Sequence, residues 1–238
     1  MKNIKKILLI TAMTMALGTS AFAASGFEFI LNVPFGINWG IPNKIAKEND
    51  MTGRLGFDVG VDAQIGYMIS VKDGFGVSVL AELGYSYDIY QLDRKTLYGL
   101  DMSAWYHSFK VGLLPKFNVG VGNGAIALGI GGGVKIPISG RLGISYGVET
   151  ADGKNEYIDI FDIKNELKRQ DIVDLFSPSI IGYVKVTFDY YLFFTDNIGM
   201  NFGLYLGGDF APKQKDTELG LNAFDFGLQL GFRFGPKA

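Results

Sequence analysis

From residue 26 onward the chain repeats apolar side chains at every second position through eight separate runs, and no other feature constrains its fold as tightly. The runs span Phe27–Ile37, Leu55–Tyr67, Phe75–Ile89, Trp105–Phe117, Ile126–Ile138, Ile180–Leu192, Ile198–Phe210 and Phe224–Phe234. Period two is the strand repeat, because successive side chains of a strand point to opposite faces. None of these alternating positions holds Asp, Glu, Lys or Arg, although those residues make up 19% of the chain. One face of every strand excludes charge.

The opposite face is unlike the outside of a soluble sheet. It reads Gly56, Asp58, Gly60, Asp62, Gln64, Gly66 in the second run and Gly199, Asn201, Gly203, Tyr205, Gly207, Asp209 in the seventh. Interior glycine weakens a strand and is useful where space is short. The chain has 33 glycines, about twice the usual ~7% share. An eight-stranded barrel has a bore only just wide enough for side chains. Apolar outside and small or polar inside predicts an all-β, antiparallel, up-and-down transmembrane β-barrel. The inverse sidedness would be a soluble, lipocalin-like barrel.

The connections follow the same logic. Long links (Asn38–Arg54, Tyr90–Asp101, Ser139–Ser179, Ala211–Gly220) alternate with short ones (Ser70–Gly74, Asn118–Gly124, Thr195–Asn197). Membrane barrels have short turns at one end and long loops at the other, with an aromatic girdle at each interface. Phe27, Tyr67, Phe75, Phe117, Phe232 and Phe234 fall at the short-turn end. Phe35, Trp39, Tyr85, Tyr87, Trp105, Phe210 and Phe224 fall at the long-loop end.

Residues 1–23 read as a secretory signal: Lys2, Lys5 and Lys6, an apolar stretch Ile7–Leu17, then Ala21-Phe22-Ala23 as a cleavage site. That stretch is shorter than the ~20 residues of a spanning helix. Removing it moves the formal charge from −2 to −5, because three lysines leave. Residues 24–238 are expected to form the barrel domain, with 139–179 as its long extracellular loop. No basic footprint for nucleic acid exists. Without cysteine and with a single His, thiolate chemistry and a multi-histidine metal site are excluded.

With its alternating runs, export signal and last strand, the chain resembles the small bacterial outer-membrane β-barrel proteins of the OmpA and OmpX type. The last strand is similar to their C-terminal assembly signal, here Asp225-Phe226-Gly227-Leu228-Gln229-Leu230-Gly231-Phe232, although the chain continues past Phe234 with Gly235-Pro236-Lys237-Ala238. The resemblance implies residence in the outer membrane, with its lipid and the barrel assembly machinery as partners. Loops on a rigid scaffold carry function, so adhesion, host or surface-ligand contact, or envelope integrity is expected of them. The alternative is a narrow ion or small-solute channel.

Strand number stays between eight and ten. Leu142, Ile144, Tyr146 and Val148 alternate, and Asp152-Gly153 is a hairpin signal. Its returning partner, Glu156–Ile163, would carry Asp159 into lipid, so the expectation is a hairpin standing above an eight-stranded wall. A short helix is expected within Ile163–Phe176, before Pro178.

The lumen charges are the candidate site. Glu28, Asp58, Asp62, Glu82, Asp88, Asp189, Asp209 and Asp225 face Lys110, Lys116, Lys135, Lys185 and Arg233. Buried charges must be paired, so a plug of ion pairs is expected; three surplus acids would also suit a cation-preferring pathway. No catalytic set is expected, since His107 and Ser108 are adjacent in a strand and point to opposite faces. Gly129-Ile130-Gly131-Gly132-Gly133 matches no phosphate-loop pattern, and the acids between Asp152 and Glu156 lack calcium-loop spacing. No cofactor is called for.

Overall fold

The protein is described from a computed structural model over residues 25–94, 98–148 and 163–237. Its elements are β1 (Gly26–Pro42), α1 (Lys44–Glu48), β2 (Met51–Lys72), β3 (Phe75–Arg94), β4 (Tyr98–Leu113), β5 (Lys116–Val121) and β6 (Gly124–Val148). They continue with β7 (Ile163–Lys168), α2 (Arg169–Leu175), β8 (Phe176–Ser177), β9 (Ile181–Phe193), β10 (Ile198–Phe210), β11 (Lys213–Gln214) and β12 (Leu221–Phe234). The signal segment and the Asp152-Gly153 turn lie outside the described residues.

The large sheet closes on itself. β1 pairs with β12 and β2, β2 with β3, β3 with β4 and β5, these with β6, and the ring returns through β9, β10 and β12, all antiparallel. β4 and β5 are one wall strand interrupted at Leu114-Pro115. Proline has no N–H to give the ladder, but its carbonyl still accepts from Ile130 at 3.1 Å. The wall therefore has eight strands. β6 pairs with β9 over Gly124–Lys135 and with β7 only above that, at Ser139–Ile144. β7 is thus an extra strand on the loop end and not a ninth wall strand.

Sidedness is that of a lipid-facing barrel. Phe57, Val79, Leu204 and Leu228 are 46%, 55%, 44% and 42% exposed on the outer surface, whereas Asp62, Glu82, Asp209 and Asp225 of the same strands turn inward and are buried. A closed barrel also satisfies every wall N–H and C=O internally, as hydrocarbon requires. No described helix is long and apolar enough to cross a membrane.

Strands run further than the apolar pattern does. β1 ends at Pro42, β3 at Arg94 and β6 at Val148, each inside a span expected to be loop. Backbone pairing does not need a lipid-facing apolar row, so the wall rises past the point where alternation fades. The bulge at Ile138 between His107 and Ser108 of β4 shifts the phase of β6. Beyond it, Leu142 turns inward and Arg141 outward. The helix expected within 163–176 is confined to Arg169–Leu175, because Ile163–Lys168 pairs with β6 instead.

Candidate functional site

The alternation of the wall strands projects the charged side chains into one bore, where they stack in layers. At the turn end Arg233 meets Glu28 at 2.9 Å and donates to Asn118 Oδ1 at 3.0 Å, with Ser78 donating to Glu28. The Arg233 guanidinium lies 4.4 Å over the Tyr191 ring, a cation–π contact strengthened by burial. Above it Lys116 pairs with Asp189 at 2.9 Å and reaches the Tyr191 hydroxyl at 3.0 Å. Gln229 and Asn201 donate to the same carboxylate.

The next layer joins four strands. Lys110 pairs with Asp62 at 2.5 Å and Glu82 at 3.4 Å, while Lys185 pairs with Glu82 at 2.7 Å and Asp62 at 3.5 Å. Tyr183 and Gln64 donate to Glu82, each at 3.0 Å. Towards the loop end Lys135 bridges Asp88 at 2.8 Å and Asp209 at 2.6 Å. Tyr90 donates to Asp209 and Tyr205 to Asp58. Asp225 lines the same layer and, among the described residues, makes no hydrogen bond or ion pair. Of the expected lumen charges, all are buried except Asp58, which is half-buried.

Sequence reasoning did not anticipate the apolar seals. Ile30, Leu80, Leu114, Ala125 and Ala127 face inward toward the turn end and are fully enclosed. At the loop end Tyr90, Tyr106, Leu167, Ile172, Ile181 and Ala223 form a cap. Ile172 projects from α2 onto inward-facing residues of β3, β4, β9 and β12, so the helix lies across the mouth. Arg169 anchors it by donating to the carbonyls of Pro137 at 3.1 Å and Ser179 at 2.6 Å. Asp171 accepts from the Lys168 N–H at 2.8 Å, closing the first turn. The inward phase of Tyr106, Tyr183, Tyr191 and Tyr205 was readable from the alternation; that of Tyr90, which fell in an expected loop, and the long-range arrival of Ile172 were not.

The bore between these seals retains a cavity of about 40 Å³, room for roughly three waters at ~10–15 Å³ each. It is filled by side chains and charge.

The girdle aromatics sit outward toward the two rims, except Phe35, which was expected at the long-loop end and instead stands mid-wall opposite Leu228, because β1 runs on to Pro42. Phe27 pairs with Tyr67, Phe232 with Leu31 and Phe234 with Phe29, while Phe117 lies opposite Val77 and Phe75 opposite Val119. At the loop end Trp39 lies opposite Phe224, Tyr87 opposite His107 and Trp105 opposite Ile89. The His107 ring is 4.8 Å from that of Tyr87, and its Nδ1 is hydrogen-bonded to the Tyr85 hydroxyl at 2.5 Å. Ser108 faces the lumen, so the two cannot act as nucleophile and base. An outward groove of about 460 Å³ runs from Tyr87, Trp105 and His107 to Arg141, Glu166, Lys168 and Asp171. Its charges are partly matched, with Arg141 and Glu166 3.6 Å apart.

No protein-family model matches the chain, and no curated protein does. Among solved structures it is similar to neisserial surface protein A, at 10% identity and a TM-score of 0.40 over 88% of this chain and 99% of that one. It is also similar to the outer membrane protease OmpT of Escherichia coli, at 7% identity and 0.43 over 92% and 99%. A third is OprG of Pseudomonas aeruginosa, at 11% and 0.37 over 91% and 99%.

Proposed function

We propose that the chain is an integral outer-membrane β-barrel of the bacterial cell surface, and that its role resides in the loop end: adhesion, ligand contact or envelope integrity. The observation that carries this reading is the contrast between the two parts of the molecule. The bore is shut by ion pairs between two apolar seals, so it offers no wide aqueous path. The loop end instead carries α1, β7, α2, β8 and β11, braced to one another. Asn43 caps α1 and donates to the Glu218 carbonyl at 2.8 Å, and β8 pairs with β11. A rigid wall presenting an ordered, polar surface suits binding by its loops. Outer-membrane lipid would contact the belt, the assembly machinery would recognise β12, and host or surface ligands would meet the loops.

Labelling of intact cells with a membrane-impermeant amine reagent tests the placement. Lys44 on α1 is 89% exposed in its side chain and is expected to react in intact cells. Lys72, the last residue of β2 at the turn end, should react only after the envelope is permeabilised. Equal labelling of the two would refute the placement. If replacing residues 150–162 with a Gly-Ser linker leaves cell-surface binding unchanged, that segment does not carry the role.

A further inference from the structure

The outward groove at the loop end is built from two neighbouring rungs of the wall. The rung nearer the turn end sets Tyr87 of β3, His107 of β4, Ser139 of β6 and Lys168 of β7 side by side. The rung above it sets Trp105 of β4 opposite Arg141 of β6, and Arg141 opposite Glu166 of β7. Facing residues of an antiparallel pair stand about 5 Å apart at Cβ, so both rungs form one continuous surface. The groove they border holds about 460 Å³, within the ~300–1,000 Å³ usual for a small-molecule site.

This groove begins where the lipid-facing surface ends. One step toward the turn end, Phe109 and Ile138 are outward, apolar and 46% and 50% exposed. Along β6 the outward face then passes from Ile138 through Ser139 to Arg141, the change expected where hydrocarbon gives way to lipid head groups. The charges lining it are of both signs and cancel, Arg141 and Lys168 against Glu166 and Asp171. Arg141 and Glu166 stand 3.6 Å apart with side chains 44% and 85% exposed. That separation is too long for a hydrogen bond, so each can take a further partner. Asp171 accepts from the Lys168 N–H at 2.8 Å and fixes the corner between β7 and α2 at the end of the groove.

We propose that this groove seats the head group of one zwitterionic phospholipid of the surrounding leaflet, its phosphate on Arg141 and Lys168 and its ammonium on Glu166. Guanidinium and ammonium groups donate charge-assisted hydrogen bonds to phosphate oxygens. A carboxylate accepts from a primary ammonium in the same way, and the Trp105 and Tyr87 rings beside it attract the cation. The acyl chains run down the wall over Phe109 and Ile138. A purely anionic head group meets no net attraction here, because Glu166 and Asp171 offset the two cations. The inference rests on the outer-membrane placement of the loop end and names one ligand for it.

The chain carries two tryptophans, Trp39 on β1 and Trp105 in the groove, so Trp39→Phe and Trp105→Phe each leave a single reporter. Both variants are folded into mixed vesicles of phosphatidylethanolamine and phosphatidylglycerol, with brominated acyl chains on one lipid and then on the other. The two quenching curves give the relative binding constant of the lipids at each tryptophan. Trp105 should favour phosphatidylethanolamine by about tenfold, the worth of one charge-assisted hydrogen bond, while Trp39 shows parity. Arg141→Gln and Glu166→Gln, each altering an exposed side chain, should bring the preference at Trp105 to within about twofold of parity. Parity or a preference for phosphatidylglycerol at Trp105 overturns the proposal, as does an unchanged preference in both variants. An equal preference at Trp39 and Trp105 also overturns it, because the belt and not the groove would then select the lipid. Absence of quenching at both tryptophans would overturn the membrane placement as well.

Discussion

Placing an arginine at Leu204 tests the sidedness on which every other statement rests. Leu204 is midway along β10 and faces outward, with Leu228 of β12 and Phe188 of β9 opposite it on the same face. All three are exposed and apolar, and none has an outward charged neighbour in register. If this surface meets hydrocarbon, Leu204→Arg sits near the bilayer midplane and costs about 2–4 kcal/mol. At about 1.4 kcal/mol per tenfold, that is a loss of roughly 30- to 1,000-fold in the folding constant. Val71→Arg, at the turn-end rim of β2, should cost only about 0–1 kcal/mol by the same depth dependence. Folding into phospholipid vesicles across a urea series, followed by the fluorescence of Trp39 and Trp105, measures both. A soluble barrel with this exposed face would tolerate either arginine alike. Equal costs for the two variants, or a Leu204→Arg cost under about 0.5 kcal/mol, a typical surface substitution, would refute the reasoning.

Two further outcomes follow from the interior. Lys135→Met leaves Asp88 and Asp209 buried without their shared cation, and should destabilise by about 3–5 kcal/mol; adding Asp88→Asn and Asp209→Asn should recover most of it in the same urea assay, and no recovery would show that the ion pairing is not the cause. Ile172→Asp buries a carboxylate against Tyr90 and Tyr106, so α2 should lift from the mouth and trypsin should cut after Arg169, while the wall keeps its heat-modifiable gel mobility; an unchanged digest would place Ile172 outside any seal.

Much of this architecture was legible because a lipid-facing wall writes its sidedness into every second residue. The inward phase of Asp62, Glu82, Lys110 and Lys185 follows from parity alone, and so does the opposite orientation of His107 and Ser108. What parity could not supply is height. Whether Lys135 meets Asp62 or Asp88 depends on strand stagger around the ring, which local sequence does not encode. The bulge at Ile138 inverts parity within a run that reads as unbroken, so Leu142 could not be placed in the cap. Ile30, Leu80 and Leu114 occupy the inward phase yet are apolar, because a bore this narrow can be packed as a core in places. The seal by Ile172 depends on contacts with Tyr90, Ile181 and Ala223, two of them more than 50 residues away.

The interior links join strands that are not neighbours in the wall. Asp62 on β2 is held by Lys110 on β4 and approached by Lys185 on β9; Tyr205 on β10 donates to Asp58 on β2. Space for these crossings is made by glycine: a Cβ on Gly227 would stand 2.5 Å from the Tyr205 ring and hydroxyl, and Gly36 borders the same hydroxyl. Small residues facing large ones let a narrow barrel fill its own bore. The cross-links oppose flattening of the ring, which ladder hydrogen bonds between adjacent strands resist only weakly. Conduction would require opening several of these layers and the cap together, each a buried ion-pair set whose separation leaves uncompensated charge. A wall braced in this way is suited to holding its loop end in one shape, and that physical consequence joins the lumen to the surface role proposed for the loops.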